Sequence, residues 1–179
     1  MKKWLFALTL TSVVLVSCKS LSSQTGNLSI EAAIVYAVGG PQPVAREEIR
    51  LLKKDGLEVH FNGAYNTGAI DDRLTNYFLA RYYADSEAKQ KRDSPEQVYL
   101  DLVKEAGRVE QELKDSTAFI TTTDFAGKAE FKDLPVGKTF YVYAVAPTRG
   151  GHCLWNLKTE IKPGANHLIL DQKNAAFAR

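Results

Sequence analysis

Histidines and cysteines, the side chains most often found as zinc ligands, are few: His60, His152 and His167, with Cys18 and Cys153. A zinc site needs two ligands about two to four residues apart and a second pair elsewhere. Here only His152 and Cys153 lie close in sequence. Neighbours on a strand point to opposite faces, so these two cannot converge on one ion. The chain has no G-x-S-x-G elbow, no H-E-x-x-H helix and no glycine-rich phosphate loop. No metal, cofactor or catalytic residue is therefore expected, and Cys153 reads as a small core residue.

Aromatic side chains supply the remaining chemistry. Tyr141 and Tyr143 fall on the face of their strand opposite Phe140 and Val142, and Trp155 lies on the next strand in the alternating stretch Leu154-Trp155-Asn156-Leu157. If that sheet face is open, the three rings form a platform for a sugar or a peptide. The competing expectation is that a helical hairpin, whose apolar stripe must be buried somewhere, covers the face instead.

At the N-terminus, Met1-Lys2-Lys3 precedes an uncharged run of 13 residues, Trp4 to Val16. Charge followed by an apolar run is the order of a secretory signal, and the run falls short of the roughly 20 residues that cross a bilayer. The next residues, Leu15-Val16-Ser17-Cys18, resemble the lipobox of bacterial lipoproteins. That resemblance implies cleavage before Cys18, lipid on its sulfur and attachment to a membrane. Lys19, where an inner-membrane lipoprotein of enterobacteria tends to carry Asp, leans the destination towards the outer membrane. Subtracting Lys2 and Lys3 from 23 basic residues leaves 21 against 21 acidic ones. A neutral mature chain offers no clustered basic field for nucleic acid.

Residues 1–17 thus read as signal peptide, 18–27 as lipidated cysteine and flexible tether, and 28–179 as one domain. Within it Leu28, Ile30, Ala32, Ile34 and Tyr36 alternate as in a half-buried strand. Gly39 to Pro43 breaks the pattern, and Glu48 to Lys54 reads as the return strand. Asp55-Gly56 predicts a hairpin turn into a third strand, Leu57 to Phe61. Between about 70 and 115 the period changes to 3.6, predicting an α-helical hairpin. Its first helix carries Ile70, Leu74, Tyr77, Phe78 and Tyr82 on one side; its second opens with a capping box at Ser94, Pro95 and Gln97 and buries Val98, Leu102, Ala106, Val109 and Leu113. Alternation returns in five further segments: 118–123, 128–132, 139–146, 152–161 and 167–171.

The stretch Thr122-Thr123-Asp124-Phe125-Ala126-Gly127, continuing through Phe131, Leu134-Pro135-Val136-Gly137 and Phe140-Tyr141-Val142, resembles that of carboxypeptidase-regulatory-like, or transthyretin-like (prealbumin-like), domains. Gly40-Pro41-Gln42-Pro43-Val44-Ala45 is similar to their opening turn. The resemblance implies a mainly β fold, an antiparallel β-sandwich of seven to eight strands, here with the helical hairpin 70–115 inserted. It carries little function, since such domains serve as accessory modules in many exported proteins. A hydroxyisourate hydrolase of this type ends in Y-R-G-S, a motif missing here.

The functional expectation is a non-enzymatic, lipid-anchored envelope module, binding or structural, that presents a sandwich surface to a protein or glycan partner. The alternative is an envelope enzyme or small-ligand carrier with a pocket between the hairpin and the sheet, marked by at least two buried titratable groups. A third reading is strand addition at a bare sheet edge.

Overall fold

The computed structural model describes residues 24–61, 73–75, 77 and 97–178. The leader, Cys18, most of the tether, the Ser94-Pro95 start of the second helix, and Ile70, Phe78 and Tyr82 of the first lie outside them.

Among the described residues nine strands, where seven to eight were expected, form two sheets. In the first, the long β1 (Thr25–Tyr36) is central; β2 (Gly40–Pro43) and β5 (Lys128–Pro135) pair with it antiparallel, and β8 (Gly164–Leu170) parallel. The N–H of Ala32 goes to the Gly127 carbonyl at 2.8 Å, and its own carbonyl accepts Val44 N–H at 2.9 Å. Both groups of a strand residue point the same way, so β5 and β2 follow one another along one edge of β1. The second sheet has the order β4 (Thr117–Thr122), β3 (Glu48–Leu52), β6 (Thr139–Pro147), β7 (His152–Glu160), β9 (Phe177–Ala178), all antiparallel.

The alternation in β1 is what joins the sheets. Leu28, Ile30, Ala32 and Ile34 enter one core with Phe131 and Leu134 of β5, Ile49 and Leu51 of β3, Phe140, Val142 and Ala144 of β6, and Trp155 of β7. The expected stretch 122–142 supplies both turns beside this core. In the first, Asp124 Oδ1 accepts Ala126 and Lys128 N–H, each at 2.8 Å, and Gly127 adopts φ +74. A Cβ there would sit 2.3 Å from the Ala32 carbonyl, so only glycine lets the turn approach β1.

Two helices, the six-residue α1 (Gly56–Phe61) and the 20-residue α2 (Gln97–Ser116), form a third layer on the outer face of the second sheet among the described residues. Leu74 and Tyr77, in a helical stretch between them, Phe61 of α1, and Ala106, Val109 and Leu113 of α2 form a second core with Leu52, Tyr143, Leu154 and Phe177 of the sheet. The expected covering of this face by helices is therefore present among the described residues.

Three local expectations are corrected. Leu57 to Phe61 is helix, not strand: Asp55 acts as N-cap, its Oδ1 accepting Leu57 N–H at 2.8 Å, and Asn156 holds both Gly56 N–H (3.0 Å) and Asp55 Oδ1 (2.8 Å). Gly56 is required by contact, since a Cβ would lie 2.3 Å from the Tyr143 ring. The Gly39 to Pro43 break contains strand β2, which turns back on β1 because Gly39 and Gly40 take φ +102 and +70. The C-terminal segment contributes β9, whose Phe177 pairs opposite Leu154.

Candidate functional site

The aromatic platform expected from sequence does not assemble. Tyr143 is 4% exposed and Trp155 fully buried, while Tyr141 is half-buried against the helical layer. Trp155 pairs opposite Ala144 and points into the sandwich core, away from the two tyrosines; Leu154 takes the tyrosine face. Its Nε1 donates to the Asp171 carbonyl at 2.8 Å. Strand β7 is covered on both faces, so its alternation could not reveal which face carried the ring.

Around Tyr143 the structure instead places a polar cluster that the sequence did not single out. His60, 3% exposed, pairs through Nδ1 with the Tyr143 hydroxyl, stacks on Phe61 at 4.3 Å and meets the edge of Tyr77 at 4.9 Å. Burial, with the charges of Arg108 and Arg73, lowers its pKa to about 4. Burial likewise holds the Tyr143 hydroxyl protonated far above the ordinary phenol range. Arg50 crosses the same face: Nε donates to Glu48, Nη2 to Glu110 at 2.5 Å, and Tyr77 Oη to the other oxygen of Glu110 at 2.5 Å. Burial opposes the Arg50 charge, but the bonds to Glu110 and Glu48 outweigh it and hold the group above the usual guanidinium value. The available signal was Arg50 itself, a charge in the otherwise apolar run Ile49-Arg50-Leu51-Leu52; its partner Glu110 stands 60 residues away.

The cluster meets the mark set for the catalytic alternative, at least two buried titratable groups between helices and sheet. The space beside it does not: the cavity lined by Glu48, Arg50, Tyr77 and Tyr143 measures about 60 Å³, room for about two waters against the several hundred Å³ of ligand pockets. Most of its groups are spent on one another and dock the helical layer, while Arg50 Nη1 is buried without a hydrogen-bond partner among the described residues. A stability consequence follows. Because folding lowers the His60 pKa, its neutral form carries no penalty above the unfolded value of 6.5, and stability falls as pH drops from 6.5 towards 4. Between pH 7.5 and pH 5 the loss should be about 2 kcal/mol. Urea midpoints at the two pH values measure it, and His60→Gln should remove most of the difference; an unchanged pH dependence in that variant would assign the loss elsewhere.

Cys153 is fully buried, and burial, with the charge of Asp171, pushes its thiol up to about 12, outside the range of a nucleophile. His167 Nδ1 meets Ser29 Oγ at 3.1 Å near the start of β8, and His152 opens β7 opposite Pro147. Among the described residues no three His, Cys, Asp or Glu side chains gather as a metal site.

Three of the exposed large apolar side chains among the described residues, Val35, Val38 and Phe125, lie towards one end of the sandwich. The chain enters at the opposite end, where Gln24 accepts Val136 N–H and Thr25 pairs opposite Pro135. At the far end of β1, Val38 is 80% exposed and Val35 53%, and the β4–β5 turn presents Phe125 at 72% with the Arg46 guanidinium 4.4 Å above its ring. An open cleft of about 250 Å³ lies there between the sheets, lined by Ile34, Tyr36, Gln42, Pro43, Glu47 and Pro147. Arg149 stands 4.7 Å over the Tyr36 ring. Gln42 and Arg149 are exposed, so the cleft mouth combines apolar, aromatic and hydrogen-bonding groups.

No family model and no curated protein matches the chain. Among solved structures it is similar to a Pseudomonas aeruginosa protein described as a candidate carbohydrate-binding protein, at 14% identity over 83% of this chain and 89% of that one, with a TM-score of 0.39.

Proposed function

We propose that this protein is a lipid-anchored envelope module of the transthyretin-like, carboxypeptidase-regulatory-like type, held on a membrane, the outer one by Lys19, through Cys18, and that it offers the far end of its sandwich to a protein or glycan partner. The observation that carries the reading is the polarity of β1. Its first residue, Thr25, stands seven positions after Cys18, within about 25 Å of chain. Its 12 residues then span about 40 Å to the end where Val38, Phe125 and the cleft are exposed. An anchor at one end and contact groups at the other is the arrangement of a display module. The fold type is supported by the two turns of the stretch 122–142, which link the sheets around one core.

The test is pull-down of the detergent-solubilised protein from its native envelope, with wild type and a Val38→Ser, Phe125→Ser variant run in parallel. Both side chains are exposed, so the variant should unfold at the wild-type temperature. Partner recovery should fall at least tenfold, and undiminished recovery would remove the far end from the interface.

A further inference from the structure

We propose that the cleft at the far end of the sandwich binds one carboxylate-bearing sugar unit of an acidic glycan. The inference rests on the far-end reading above and narrows its partner to a glycan of stated charge.

The cleft opens where the inward row of β1 meets the end of the sandwich. Leu28, Ile30, Ala32 and Ile34 are buried in that row, and Tyr36, the next inward position, is only half-buried. Gln42 of β2 pairs opposite Ile34. Residues directly opposite share a face, so the Gln42 amide stands on the inward side, in a row of otherwise apolar groups. Glu47, just before β3, and Pro147, at the end of β6, line the cleft from the second sheet. Arg149, in the turn between β6 and β7, reaches from that sheet to the first and stacks on the Tyr36 ring at 4.7 Å. Among the described residues the Tyr36 hydroxyl, the Gln42 amide and the Arg149 guanidinium make no hydrogen bond or ion pair.

These groups define the ligand by what they lack. Stacking on Tyr36 fixes the plane of the guanidinium and leaves its N–H edge open, and that edge fits the two oxygens of a carboxylate. The carboxylate of Glu47 only accepts, so the same ligand must also bring hydrogen-bond donors. Gln42 both donates and accepts, as paired hydroxyls require. Ile34, Pro43 and Pro147 add apolar surface for the C–H face of a ring. At about 250 Å³ the cleft is smaller than pockets that enclose drug-sized ligands, so it admits one ring and leaves the neighbouring units of a chain outside. A uronic acid unit carries a carboxylate, hydroxyl donors and a C–H face on a single ring. An amino-acid zwitterion brings both charges without the ring, and an inorganic phosphate brings the anion without the apolar face.

The probes are trimers of galacturonate, glucuronate and mannuronate, titrated calorimetrically into the full chain purified in mild detergent. At least one should bind saturably, and its methyl ester should bind at least tenfold more weakly, a comparison that needs no variant. Arg149→Met should weaken the acid at least tenfold and leave the ester unchanged, because the ester has no carboxylate for the guanidinium. Gln42→Ala should weaken both ligands. Both side chains are exposed, so the variants should melt with the wild type. Equal binding of acid and ester, an equal loss of both in Arg149→Met, or undiminished binding in Gln42→Ala would each overturn the proposal. Tighter binding of glycylglycine than of any trimer would overturn it in favour of a zwitterionic ligand. Binding of none of the three trimers would also overturn it. If the pull-down still lost its partner in the Val38→Ser, Phe125→Ser variant, the far-end reading would then stand with a partner of another class.

Discussion

Cys18→Ser is expected to abolish incorporation of labelled palmitate and to shift the protein from the membrane to the soluble fraction by an order of magnitude or more. The size of the effect follows from what the thiol would carry. Each buried CH₂ contributes about 0.8 kcal/mol, so two or three acyl chains hold a protein durably where one holds it only marginally. Serine offers a hydroxyl in place of the sulfur and cannot form the thioether. The leader that would remain has an uncharged run of 13 residues, short of the roughly 20 needed for a stable span. Sucrose-gradient fractions of the wild type should place the label with outer-membrane markers, the direction in which Lys19 leans. Equal palmitate labelling of the serine variant would sink the anchor reading.

How much of this was legible in sequence depended on whether a strand has one covered face or two. Strand β1 is covered on one face, so its alternation gave its buried set, Leu28, Ile30, Ala32 and Ile34, but not its start: Thr25 to Asn27, expected as tether, already pair with β5 and β8. Strands β6 and β7 lie between the sandwich core and the helical layer. There Val142 and Tyr143, or Leu154 and Trp155, are buried side by side, and alternation says nothing about which neighbour faces which layer. That is why Trp155 was joined to the wrong face. The Asp55-Gly56 pair was misread for a related reason. Its glycine answers to the Tyr143 ring, a contact 87 residues on in sequence, and not to a hairpin turn. The polar cluster was least legible, since Arg50, Glu110, His60 and Tyr143 come from four different elements. Only tertiary packing makes His60 a neutral core residue and Arg50 the bridge between sheet and helix.

Trp155→Ala should cost about 3–5 kcal/mol of folding stability, the range for removing a buried large aromatic side chain. Two losses combine there. The indole is fully buried where both sheets meet, so truncation leaves a void bounded by elements that are themselves hydrogen-bonded and can collapse only in part. It also removes the donor at 2.8 Å from the Asp171 carbonyl, at the start of the segment that Asn174 and Asp171 fold back on themselves before β9. Trp155→Phe separates the two. Most of the ring area is kept, the hydrogen bond is lost, and about 1–2 kcal/mol is expected, of which roughly 1 kcal/mol is the bond. Urea denaturation at pH 7.5, above the window in which His60 titrates, gives both values. An alanine variant within 1 kcal/mol of the phenylalanine variant would mean that the void is filled by rearrangement, and that the core around Trp155 is looser than its burial implies. If the ordering holds, loosening of the segment before β9 should be seen in both variants as faster amide exchange at Ala176, whose N–H donates to the Leu154 carbonyl, because the Asp171 contact is absent from each.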